Sequence, residues 1–249
     1  MEEVFLFCLF VHAKLPVKFF AGSFIIDGGR KMKSKFDTKY VVMTAMFIAI
    51  AFVAVLIGKI VPNVAGFLSY DPKDAIVVIA GFISGPLTCV IISVLVSLIE
   101  MLTISTTGPY GLLMNIVSTC AFAVPAAWFY HKKNHTHKGA VIGLGLGVAF
   151  MTLCMLAWNY IVTPLYMGVD RSVVGGMLMS VFFPFNLSKG GINAGITLLL
   201  YKPLVTALRK AKLIKESSNP QKKTFNWGFT VFALAVLVTF AALLIVLIK

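Results

Sequence analysis

From Phe229 to Ile248 the chain runs for twenty residues without a charged side chain, and its only polar side chains are Thr230 and Thr239. A helix of that length is about 30 Å long, which is the thickness of a bilayer's hydrocarbon core. Inside lipid each backbone N–H and C=O needs a partner within the protein, and a helix supplies all of them locally. Comparable runs recur at 39–61, 87–104, 110–130, 141–162 and 174–201, with a shorter one at Ala75–Ile83. A membrane β-barrel would instead show short segments of alternating hydrophobicity. Charged residues make up 12% of the 249, about half the share usual in soluble domains. The expected class is an all-α integral membrane protein with six core helices and an additional C-terminal transmembrane helix.

The formal net charge of +13 invites comparison with nucleic-acid binders, but the charges sit in the wrong places for that. They gather at the ends of apolar runs: Arg30 to Lys39, then Lys132, Lys133 and Lys138, then Lys202 to Lys223. This is the positive-inside pattern. It puts the N-terminus, the 131–138 loop and residues 202–223 in the cytoplasm, and excludes nucleic acid as a partner. Cys8, Cys89, Cys120 and Cys154 stand singly among apolar residues, as small buried hydrophobes do. His131, His135 and His137 share a basic loop without a carboxylate or thiol. A solvated loop explains them better than a metal, and no metal or cofactor site is expected.

Polar groups inside the apolar runs carry the functional signal. Asn159, Thr163 and Tyr166 recur at three- and four-residue spacing, on one face of a helix end loosened by Pro164. Asn186, Lys189, Gly190 and Asn193 likewise share a face, just after a break at Phe183-Pro184. A lysine at membrane depth costs about 2.5 to 3.5 kcal/mol unless it faces a polar cavity or a partner. These residues therefore read as the grip on a polar small molecule, with Asn115 on the fourth span as a further candidate. Residues 62–74 combine helix breakers with Phe67, Tyr70, Asp71 and Asp74. They read as an outer loop closing over a ligand, although Asp71 ahead of Pro72 also suits a helix N-cap. Because Ala75–Ile83 is short, Asp71 to Asp74 are expected near or just inside the interface. Glu100, one turn before Ser105, is expected to reach the outer interface, with a cavity position or a pair with Lys189 as alternatives.

Other features have plainer readings. Ala45 and Ala49 form an Ala-x-x-x-Ala stripe on the first span, and small residues at that spacing let helices approach closely. Spacing alone leaves open whether the contact is internal or with another protein. Gly143, Gly145 and Gly147 follow no strand, so they mark helix packing and not a dinucleotide loop. No nucleophile–base pair or phosphate-binding loop is present, so the chain is read as a non-enzyme. The expected organisation is an N-terminal extension at 1–35, either interfacial or preceding a natural start at Met32, and a six-helix membrane domain at 36–215. A cytoplasmic linker at 216–225 and a seventh helix at 226–249 complete it.

The motifs Asn159-Tyr160…Pro164-Leu165-Tyr166 and Pro184-Phe185-Asn186-x-x-Lys189-Gly190, with Tyr70-Asp71-Pro72-Lys73-Asp74…Gly85-Pro86, carry a resemblance over about residues 36–212. The chain resembles the substrate-binding S components of energy-coupling factor vitamin transporters, most closely the riboflavin-specific type. That resemblance implies a six-helix bundle in the bacterial cytoplasmic membrane that takes riboflavin, or a related flavin, from outside. It implies as partners a transmembrane coupling subunit and two ATPases that hydrolyse ATP elsewhere. It places Asn159, Asn186 and Lys189 on the ligand, and Ala45 and Ala49 against the coupling subunit. Residues 1–35, the seventh helix and the acidic Glu100 depart from the family pattern. Folate or thiamine as substrate, a stand-alone secondary carrier, and a membrane-embedded enzyme or structural subunit are the alternatives; inverted repeats, which a carrier would call for, are not evident.

Overall fold

The structure is a computed structural model that describes residues 38–211, 213 and 227–248. The expected extension at 1–35 and the linker at 216–225 lie outside those residues. Thr38–Gly58 forms α1, Lys73–Ser84 α2, Pro86–Thr103 α3, Gly108–Lys132 α4 and His137–Met167 α5. Arg171–Met177 (α6), a π-helical turn at Leu178–Phe182 and Phe183–Lys210 (α7) follow without interruption, and Trp227–Ile248 forms α8. Among the described residues six helical segments are long and apolar enough to cross a membrane, counting Arg171–Lys210 as one. α2, at 12 residues, is too short to be among them.

α2 instead sits at the centre. It packs against α1, α3, α4 and α7, and ten of its twelve residues are buried. A helix enclosed by protein need not span the hydrocarbon, which explains a run too short to cross it. Its length is set by its ends. Pro72 stands at its start, and Gly85 ends it with φ 101°, a conformation that favours glycine. Gly85 N–H donates back to Gly81 O at 2.8 Å, and Pro86 opens α3 where no N–H is needed.

α4 and α5 pack along two glycines. A β-carbon on Gly143 would lie 2.8 Å from the carbonyl oxygen of Ala126, and one on Gly147 would strike that of Phe122. Gly145 faces open space, so the close contact uses the four-residue spacing and leaves the middle glycine out. α4 runs through Pro125 unbroken. Pro184 has a different effect, since it removes an N–H and crowds the carbonyl four residues back. The π-helical turn immediately before it absorbs that mismatch.

The α1–α2 connection is ordered by its own hydrogen bonds. Val64 and Leu68 exchange backbone bonds of 2.9 and 3.0 Å across a turn in which Ala65 and Gly66 have positive φ. Ser69 Oγ donates to Asn63 Oδ1 at 2.9 Å. The Val64–Leu68 pairing is the one β-bridge among the described residues.

Candidate functional site

The short helix and the loop before it bring charge into the bundle. Asp71 is 7% exposed, and Lys73 and Asp74 are fully buried. The Lys73 ammonium bonds to the Asp71 carboxylate and lies 3.4 Å from Glu100 Oε2. Glu100 also faces Lys59 at 3.4 Å and accepts from Asn115 Nδ2 at 2.9 Å. Lys189 reaches from α7 to within 3.4 Å of Asp74 Oδ2 and donates to Ser118 Oγ at 3.2 Å. The other Asp74 oxygen accepts from Thr119 Oγ1 at 2.6 Å. Lys59, Lys73 and Lys189 thus balance Asp71, Asp74 and Glu100, three charges of each sign. Such pairing is what buried charge requires, because an unpaired ion in low dielectric costs several kcal/mol.

A cavity of about 160 Å³ opens beside this network. Lys59, Asp71, Glu100, Asn115, Ser118, Asn159, Asn186 and Lys189 line it with polar groups; Val55, Phe67, Leu68, Tyr70, Met114, Met155, Tyr166 and Phe185 supply apolar and aromatic wall. Apolar walls with a few placed polar groups are the usual make-up of a small-molecule site. A smaller recess of about 40 Å³, bounded by Trp158, Val162, Thr163, Tyr166 and Tyr110, adjoins it and shares Phe67, Met114 and Asn159.

Among the residues singled out from sequence, Phe67, Tyr70, Asp71, Asn115, Asn159, Tyr166, Asn186 and Lys189 all border the main cavity, and Thr163 borders the recess. Asn159 and Asn186 are buried and turn their amide N–H groups to their own helices, on Met155 O at 2.7 Å and Phe182 O at 2.8 Å. Thr163 Oγ1 donates to Asn159 Oδ1 at 2.9 Å. All three are local bonds between residues four apart on one helical segment. Asn193 belongs to the same stripe and does another job. It accepts from Tyr70 O–H at 3.2 Å and donates to Asp71 O at 3.0 Å, fastening the loop to α7.

Two acidic positions left open by the sequence are placed among the helices. Glu100 takes the cavity position, one of the alternatives held for it. It is 5% exposed, lines the cavity and pairs with Lys73 and Lys59 instead of Lys189. The α3 face that carries it is turned inward by packing on α4 and α2. Asp71, Lys73 and Asp74 are buried among helices. Asp71 does hold the start of α2, accepting from Lys73 N–H at 3.1 Å. Lys59, Lys73 and Ser118 were not singled out, and Asp74 was read only as part of the loop over a ligand. For Lys73 and Asp74 the signal was present: charges flanking an apolar run too short to reach the far headgroups must be satisfied inside the protein.

Ala45 and Ala49 lie on an exposed side of α1 with Val42, Val53 and Leu56. That side is unoccupied by other described helices, so the stripe serves no packing among the described residues. Near the opposite end of α4, His131 Nε2 donates to Gly81 O at 3.0 Å, and its ring lies 4.5 Å from that of His135. Burial and the neighbouring His131 hold His135 below the ordinary histidine pKa. Among the described residues no three His, Cys, Asp or Glu side chains gather in a metal-ligating group.

Comparison with known proteins agrees with this geometry. A family model described as ECF transporter, substrate-specific component, matches residues 39–201. Riboflavin transporter FmnP of Bacillus subtilis (strain 168) is 27% identical over 187 residues, covering 70% of this chain and 98% of that protein. Riboflavin transporter RibU of Staphylococcus aureus (strain TCH60) is 28% identical over 191 residues, 74% of this chain and all of that one. RibU of Streptococcus thermophilus (strain ATCC BAA-250 / LMG 18311) is 30% identical over 184 residues, 70% of this chain and 86% of that one. The solved structure of the S component of a bacterial ECF transporter superposes with a TM-score of 0.59 at 28% identity, covering 69% of this chain and 98% of that one. With a match over 39–201 that takes in every residue lining the cavity, the chain belongs to the family of substrate-specific components of ECF transporters.

Proposed function

We propose that this chain binds riboflavin on the outer side of the bacterial cytoplasmic membrane and delivers it inward as the substrate-specific subunit of an ATP-driven transporter. The observation that carries the reading is the cavity walled by Asn159, Asn186 and Lys189 on one side and by Asp71, Glu100 and Asn115 on the other. An isoalloxazine ring is flat and apolar over most of its area, with carbonyl and ring-nitrogen acceptors along one edge. Lys189 and the two amides are donors for that edge, and Phe67, Leu68, Met155 and Phe185 suit the ring. Ribityl hydroxyls donate as well as accept, which suits the carboxylates of Asp71 and Glu100 and the amide of Asn115. The balanced charge of the network suits a neutral ligand. Relatives described as riboflavin transporters favour this vitamin over folate or thiamine.

Transport follows from partners. ATP hydrolysis belongs to two ATPase subunits, and a transmembrane coupling subunit meets the chain on α1 at Ala45 and Ala49, where small side chains let a foreign helix approach closely. The basic ends at Lys132, Lys133, Lys138, Lys202 and Arg209 face the cytoplasm, as does the N-terminus. The deciding experiment is the visible spectrum of the purified protein, followed by titration with riboflavin read as quenched flavin fluorescence. A flavin spectrum and saturable quenching are expected. Binding of thiamine or folate with no binding of riboflavin overturns the substrate and keeps the family.

A further inference from the structure

α8 lies beyond residue 201, where the family match ends, and neither the cavity nor the proposed coupling face uses it. We infer that α8 is a brace for the binding site, acting through α7; the inference rests on the ligand reading above. α7 is the wall they share. At about 100° per residue, Gly191 and Gly195 lie about 140° and 180° round the helix from Asn186, on the side away from the cavity. α8 closes on those glycines. A β-carbon on Gly191 would run into the Phe240 ring, and one on Gly195 would come within 3.1 Å of the Leu237 backbone. Larger residues at either position would hold α8 off.

The bracing matters because α7 is weakest where it carries the site. The π-helical turn at Leu178–Phe182 and the missing N–H of Pro184 come immediately before Asn186 and Lys189. That weak point is not left to lipid. Phe182 and Phe185 join Leu244 of α8 in one buried apolar cluster, which also contains Leu68 and Tyr70 of the loop over the cavity. α8 therefore backs the α7 wall and shares an apolar cluster with the loop, while its other side, including Val238, is exposed. A positioning element of this kind slows ligand release without touching the ligand.

Release of riboflavin from the purified full chain, followed by stopped-flow fluorescence, tests this. Phe240→Ala and Leu244→Ala are expected to speed release about threefold to thirtyfold, the range seen for substitutions along a packed coupling route. Val238→Ala, on the exposed side of α8, is expected to leave it unchanged. Gly191→Leu is expected to speed release, and adding Phe240→Ala to it restores slow release by making room. Should Gly191→Leu not fold, the two alanine variants decide. Unchanged release in both, or an equal change in Val238→Ala, overturns the brace. If the parent chain binds no riboflavin, the substrate reading fails separately. The brace is then read by amide hydrogen exchange at 178–186 in the ligand-free chain: faster exchange in Phe240→Ala and Leu244→Ala supports it, and unchanged exchange overturns it.

Discussion

α2 and α8 are opposite answers to the same solvent. α2 has 12 residues, ten of them buried, and opens on Lys73 and Asp74. α8 has 22 residues, of which Ala233 and Leu244 alone are buried, and no charge among them. Lipid accepts α8 because its backbone is satisfied internally and its side chains are apolar all round. It would reject the start of α2, so the protein encloses that helix and matches each charge with another. Shortness and charge mark the helix that the protein encloses; length and uniform hydrophobicity mark the one left facing outward.

The strongest way to break this comparison is Lys73→Met. It leaves Asp71 and Glu100 without their shared cation, and breaking a buried pair costs about 3 to 5 kcal/mol. A large fall in the melting temperature of the ligand-free protein is expected, together with loss of riboflavin binding. A variant that melts like the parent would mean the network is dispensable. Smaller effects separate the binding groups from one another. Asn186→Ala and Lys189→Ala should each weaken riboflavin binding by about 1 to 3 kcal/mol, the cost of losing a buried hydrogen bond, in fluorescence titrations. Lys189→Ala should also lower the ligand-free melting temperature, since Asp74 Oδ2 has no hydrogen bond and lies 3.4 Å from that ammonium. Asn186→Ala should lower it less, because it removes one local bond within its own helical segment and leaves no buried charge unpaired. Unchanged affinity in both would remove them from the site. Least affected should be Val246→Ala on α8, 68% exposed, which is expected to shift unfolding by under about 0.5 kcal/mol.

How far the sequence reached differs along the same lines. The stripe of Asn186, Lys189 and Asn193 was legible because helical spacing fixes which residues share a face. What each does was not. Asn193 holds Tyr70 and the Asp71 carbonyl, which depends on a loop more than a hundred residues earlier. Glu100 was left open for a related reason. Its nearness to Ser105 in the chain favoured the outer edge slightly, whereas Lys73, Lys59 and Asn115 hold it at the cavity.

By itself the sequence determined the class, the number of long spans and the polar faces, because hydrocarbon permits so few backbone arrangements that apolar run length and helical period leave little choice. Only the tertiary structure decided which carboxylate meets which ammonium, that the short segment is the hub, and that the last helix closes on Gly191 and Gly195. Those outcomes depend on contacts between residues distant in the chain, and side chains of one type serve equally well as ligand donor, ion partner or strut until their neighbours are known.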